Sequence, residues 1–221
     1  MSDNDGEAFA RWLMRLFPLS SDAAGGAPLA PFPKRREGFV AAGSVASVAQ
    51  AACTANTGGA GIVAARMLSL DHLWTEIRVR GGAYGGGFVR KANGEASFLS
   101  WNDPNPARSL GVYAASGDAL RKAAEGDFEN YIIGAVALTE PYLTPSGEME
   151  WASARVLSGR TIADAQRTRR EMLKTARADL LAFADAVDAM ARDPSVCVIG
   201  GREQVDACAG LLDSVETVLR E

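Results

Sequence analysis

The chain has 221 residues, 48% hydrophobic and 23% charged, with 23 Lys and Arg against 27 Asp and Glu and a net charge of −4. That is enough length for one domain with a real core, or for two small ones, and an ordinary globular composition. The acidic balance, with a pI near 5.2, gives no electrostatic reason to bind nucleic acid or an anionic membrane surface, and no apolar run approaches a membrane span.

The acidic start, Met1-Ser2-Asp3-Asn4-Asp5, lacks the basic region of a signal peptide and the Arg-rich composition of a transit peptide. Residues 7–17 predict a short helix with Phe9, Trp12, Leu13, Leu16 and Phe17 apolar, ended by Pro18. From Leu19 to Pro33 the composition shifts to Ala, Gly, Ser and Pro, the mark of a linker. The organisation expected is therefore a helix and linker over 1–36 and one domain over 37–221.

Strands are expected over 38–42 and 46–54, where Phe39, Val40, Val45 and Val48 supply the β-forming content. A helix follows. Val63, Met67, Leu70, Trp74 and Ile77 recur at steps of four and three, which places them on one inward face. Gly81 and Gly82 stop it, because a residue without Cβ can take the left-handed conformation of a helix C-terminus. Arg78 and Arg80 suit the negative end of the helix dipole.

Residues 83–90 and 95–101 predict a hairpin with Asn93-Gly94 as its turn. Phe98 alternates with Leu99 and Trp101, so both faces of that strand are expected to be covered. A second strand is expected over 109–114. Helices follow over 117–125, 128–137 and 149–157. Thr161 with Asp164 has the spacing of a capping box. It opens a single long helix to about Arg192, with Leu173, Ala176, Leu180, Phe183, Val187 and Met190 inward. The basic run Arg167, Arg169, Arg170 and Lys174, interleaved with Asp164, Glu171 and Asp179, reads as a solvated helix face. A short buried strand over 195–199 leads to a terminal helix with Val205, Cys208, Leu212, Val215 and Leu219 inward. Strands, helix, hairpin, helices, strand and helix in that order give an α+β fold: an antiparallel β-sheet with helices packed mainly on one face.

Three widely spaced cysteines, Cys53, Cys197 and Cys208, argue against a disulfide framework and read as buried thiols of a reducing compartment, cytosol or organelle matrix. His72 is the only histidine, so the chain has no paired histidines with which to hold zinc. No catalytic or metal-binding residue is expected in this chain. The glycines around Tyr84 lack the Gly-Lys-Ser/Thr of a phosphate loop and follow a helix instead of opening one. Tyr84 sits among five glycines, where its ring escapes burial by its neighbours, and Gly85, Gly86 and Gly87 weaken a strand unless something must approach the backbone. A peptide laid along a sheet edge would be such a thing. Arg78 and Tyr84 then present two hydrogen-bond donors to one cleft.

Arg78-Val79-Arg80-Gly81-Gly82-Ala83-Tyr84-Gly85 resembles the arginine–tyrosine motif of the presequence protease branch of the insulinase-type zinc peptidases. The resemblance continues through Ser100-Trp101-Asn102-Asp103-Pro104-Asn105, Tyr131-Ile132-Ile133-Gly134, Leu157-Ser158-Gly159 and Arg169-Arg170-Glu171-Met172-Leu173, in family order over about residues 37–205. It is a resemblance to the last domain of those enzymes, and departs from it where Trp101-Asn102 stands for Tyr-Arg and Gly111 for an acidic residue. The resemblance implies a C-terminal, non-zinc-binding domain of a zinc metalloendopeptidase that degrades unfolded peptides in a closed chamber. The zinc, its histidines and the glutamate base belong to an N-terminal catalytic half absent from this sequence. Arg78 and Tyr84 are implied to contact the peptide substrate, and the chain alone is expected to be inactive. Nucleic acid and membrane are not expected partners. A different class of role on the same fold is a stand-alone, catalytically inactive interaction or scaffold subunit.

Overall fold

The computed structural model describes residues 34–53, 58–91 and 94–218. The helix expected over 7–17 and the linker before Pro33 lie outside the described residues, as do Asn93 of the hairpin turn and Leu219 of the last expected helix.

Strands β1 (Arg36–Val40) and β2 (Ala46–Cys53) open the domain. Helix α1 (Gly58–Met67) continues without a break into a π-helical run, Leu68–Val79. The hairpin is β3 (Gly85–Arg90) and β4 (Glu95–Asp103). Six helices follow: α2 (Pro106–Ala114), α3 (Ser116–Ala123), α4 (Glu129–Thr139), α5 (Pro145–Leu157), α6 (Ile162–Leu173) and α7 (Arg177–Arg192). Then come β5 (Ser195–Gly200), α8 (Arg202–Asp206), a 3₁₀ turn at Ala209–Leu211, and β6 (Ser214–Thr217).

The strand order is β3-β4-β2-β5-β1-β6. The α+β layering is as expected. The sheet is antiparallel from β3 through β5, and mixed at its far side, where β1 runs parallel to both β5 and β6. Register explains the layering. Phe88, Phe98, Gln50 and Val196 stand side by side across four strands, and all are buried. Their neighbours one step along, Leu99, Ala49 and Cys197, face the other way and are half-buried or exposed. Among the described residues, helices therefore cover one face only. On it, Phe98 stacks on Tyr113 of α2 at 5.0 Å, and Phe88 meets Phe183 of α7 edge-on at 6.0 Å. The second face of β4 is not covered as expected, and Trp101 there is 41% exposed.

Local signals misled at four places. Leu70 and Trp74, expected inward, are exposed, while Leu68, Leu73 and Ile77 are buried at steps of five and four. The π-helical run widens each turn beyond the 3.6-residue period, so the inward stripe shifts phase. Residues 109–114 are helix, not strand: Pro106 stands at the first helical position, where its missing N–H costs nothing. The long helix is two helices, and Leu173 and Ala176 are exposed at the break. The Asp179 carboxylate accepts from the Ala176 N–H at 2.8 Å and starts α7 afresh. The terminal helix is a five-residue helix followed by strand β6, which finds a partner in β1. Of the thiols, Cys208 is buried as expected, with burial pushing it up to about 11, but Cys197 is exposed on the open sheet face; both are free.

The capping box forms as its spacing predicts. Asp164 Oδ2 accepts from the Thr161 N–H and hydroxyl at 2.8 and 2.7 Å, and the Asp164 N–H donates back to Thr161 Oγ1 at 3.2 Å. Those bonds, with Arg167 alongside, hold the Asp164 carboxyl at about 2, below its ordinary 3.8. A depressed folded value means that the contribution is full above pH 4 and disappears as pH falls through 2. Acid titration followed by circular dichroism should show Asp164→Asn losing part of this helix's signal already at neutral pH. Its curve should converge on the wild type's below pH 2. Identical curves at neutral pH would contradict the cap.

Candidate functional site

The helical run ends in a wide left-handed stop. The Arg80 N–H donates to Thr75 O at 2.9 Å, the Gly82 N–H to Arg78 O at 3.1 Å, and the Ala83 N–H to Ile77 O at 3.1 Å. Gly82 has φ +80°, a conformation that a side chain would strain. This stop turns the chain so that Tyr84 emerges at the start of β3, beside the last helical turns.

Here the structure brings Arg78 and Tyr84 together. The Arg78 guanidinium carbon lies 4.4 Å from the Trp74 ring centroid and 5.5 Å from the Tyr84 ring centroid. Both distances are within cation–π reach. The Tyr84 residue is 64% exposed and Trp74 is 43% exposed. The cation is thus clasped between two aromatic rings at the surface. No carboxylate among the described residues pairs with it. Arg80, two residues further on, is different. It pairs with Glu76, which Arg108 also holds at 2.8 Å, so its charge is spent locally.

The turn is fixed from below by β4. The Tyr84 N–H donates to Asn102 O at 3.2 Å, and Asn105 Nδ2 donates to Gly81 O at 3.1 Å. Asn102 itself has φ +47°, tolerated better by asparagine than by most residues. Behind it Asp103 is fully buried. One carboxyl oxygen accepts from the Ser100 and Ser109 hydroxyls at 2.7 and 2.6 Å, and the other from the Asn105 N–H at 2.8 Å. Gly85 is dictated by contact: a Cβ there would lie 2.3 Å from the Trp101 ring. The β3 edge is closed at Phe88, whose N–H donates to Ser69 Oγ at 3.0 Å while that hydroxyl donates to Phe88 O at 3.3 Å.

Two features escaped the sequence reading. Trp74 was placed inward by a 3.6-residue period; its spacing of four from Arg78 was the available signal for the aromatic–cation pair. Asp103 and Asn105 lie in the Ser100–Asn105 motif, but nothing local distinguishes a buried carboxyl from a turn residue. His72, half-buried, has Nε2 3.2 Å from Val112 O. It ties the helical run to α2. Among the described residues, no group of three His, Cys, Asp or Glu could hold a metal ion, and no helix is long and apolar enough to cross a membrane.

The family model for the PreP C-terminal domain matches residues 36–201. Presequence protease 1 of Arabidopsis thaliana, chloroplastic/mitochondrial, is 34% identical over 183 residues, which cover 79% of this chain and 17% of that protein. Protein HypA of Clostridium perfringens is 27% identical over 193 residues, 85% of this chain and 20% of that protein. The chain thus spans about a fifth of the length of these relatives. In three dimensions it is similar to a peptidase M16 inactive domain from Pseudomonas fluorescens, with a TM-score of 0.60 at 14% identity over 91% of this chain and 51% of that one. A protease from Helicobacter pylori gives a TM-score of 0.57 at 13% identity over 79% and 46%. At that identity the two structures speak to the fold, and the fold agrees with the sequence match. The chain belongs to the presequence protease C-terminal domain family, within the insulinase-type peptidases.

Proposed function

We propose that this domain closes over the catalytic half of a zinc metalloendopeptidase and offers Arg78 and Tyr84 to an unfolded peptide substrate. The observation that carries the reading is the exposed Trp74–Arg78–Tyr84 cluster, a cation without a carboxylate partner beside an accessible phenol. In this reading Arg78 donates to a backbone carbonyl of the peptide while the rings hold its orientation. The Tyr84 hydroxyl donates to the carbonyl oxygen at the bond being cut, where negative charge develops. In this reading the zinc belongs to the other half, because a zinc site draws on paired histidines and this sequence has one. No step of the hydrolysis is assigned to this chain beyond those two hydrogen bonds. The uncovered sheet face, with Val89, Trp101 and Ile199 exposed on it, is consistent with a domain that meets another part of a larger assembly.

The test is complementation. A presequence protease relative truncated of its last domain, mixed or fused with this chain, should regain cleavage of a fluorogenic peptide, while neither part cleaves alone. Tight association without recovered cleavage would favour the interaction-subunit role instead. No association would sink both.

A further inference from the structure

A second feature lies at the other end of the same helical run, away from Arg78 and Tyr84. A cleft of about 1100 Å³ opens between the start of α1, the end of β3, the loop after α5 and the exposed face of α6. Arg90, Arg160, Arg167, Arg170 and Lys174 line it. In a chain whose net charge is −4, five cations in one concavity against Asp164, Glu171 and Asp179 make a local excess of positive charge. The acidic groups are already engaged: Asp164 with Arg167 and the Thr161 cap, Asp179 with the Ala176 N–H, Glu171 with the Gly59 N–H at 2.8 Å. Arg160, Arg170 and Lys174 have no carboxylate partner among the described residues. Burial, and Arg160 close by, pull the Arg90 guanidinium below its ordinary value, so the cations are crowded enough to repel each other. Folding has gathered cations from three separate elements, which a solvated helix face alone would not do.

We propose that this cleft binds the acidic segment of a polypeptide, its Asp and Glu side chains lying across Arg160, Arg170 and Lys174. Three observations choose this occupant among anions. The volume exceeds what a single small oxyanion fills. No aromatic ring among the described residues lines the cleft, so a nucleobase finds none there to stack on. The interleaved carboxylates repel a uniformly charged polyphosphate, whereas a peptide with spaced carboxylates avoids them. Glu171 on the Gly59 N–H shows a carboxylate accommodated at this helix N-terminus.

The experiment is fluorescence anisotropy of a labelled glutamate-rich peptide with the full chain, at low and high salt, with a lysine-rich peptide as control. The glutamate peptide should bind at low salt and weaken as salt screens it. Replacing Arg160, Arg170 and Lys174 together by alanine should weaken binding roughly tenfold or more, since each exposed pair contributes modestly. Lysine at 160 and 170 should retain most of it. Arg177→Ala, a cation outside the cleft, should change nothing. Lys174→Glu makes the same test with one exposed substitution if the triple variant melts early. No binding, binding unaffected by Lys174→Glu, or preference for inorganic tripolyphosphate over the peptide would overturn the proposal. None of these outcomes depends on whether Arg78 and Tyr84 serve a peptidase.

Discussion

Replacing Asp103 by alanine should destabilise the domain by about 2–4 kcal/mol, because it leaves buried hydrogen-bond donors without their acceptor. The carboxyl is fully buried and accepts three hydrogen bonds, from Ser100, Ser109 and the Asn105 N–H. Removing it strands two hydroxyls and a backbone N–H, each costing about 1–3 kcal/mol when unsatisfied. Relief from burying the carboxyl offsets part of that sum. Asp103→Asn keeps the shape and one oxygen, and should lose about 1–2 kcal/mol. Urea unfolding decides: the midpoint should fall with little change in slope. A loss below about 1 kcal/mol in the alanine variant would mean that water replaces the carboxyl and the network is dispensable. The network also bears on the site. Asn105 holds Gly81, and Asn102 holds the Tyr84 N–H, so loosening Asp103 loosens the turn that aims Tyr84.

That dependence marks how far the sequence could be read. Elements with their own local signals came out where expected: the β3–β4 hairpin with Gly94 at φ +88°, the Thr161–Asp164 box, the Gly82 stop. The stripe of Leu180, Phe183, Val187 and Met190 is buried as its spacing implies. What could not be read depends on distant partners. Residues 214–217 are exposed and have little strand pattern; β1 makes them a strand by pairing alongside. The π-helical run has no compositional mark, and its phase shift alone moved Leu70 and Trp74 outward. For the site, the two residues named from the motif do meet in space. Their clasp by Trp74 was invisible, because a regular helix would have turned that ring into the core.

The largest functional effect should come from Tyr84, in a polypeptide that also carries the catalytic half. Tyr84→Phe keeps the ring over Arg78 and removes only the hydroxyl. If that hydroxyl donates to the carbonyl oxygen as charge builds there, its loss should fall mainly on kcat, by about 10²–10³ as for one oxyanion donor elsewhere. Arg78 should behave differently. If it holds the peptide backbone equally before and during the reaction, Arg78→Ala should raise KM more than it lowers kcat. Arg78→Lys should rescue little: a point charge reproduces neither the planar fork nor its stacking between Trp74 and Tyr84. Trp74→Ala should then mimic a weakened Arg78, raising KM with kcat nearly unchanged, because the ring orients the cation without touching the reacting atoms. Melting temperatures should shift little in all of these, since the cluster is exposed and its cation–π contacts contribute about 0.5–1 kcal/mol each at such sites. Kinetics on a fluorogenic peptide, with melts on the same samples, separate the outcomes. Wild-type rates in Tyr84→Phe, or activity lost only as the domain unfolds, would reduce the Arg78–Tyr84 turn to a helix stop that happens to carry an exposed arginine.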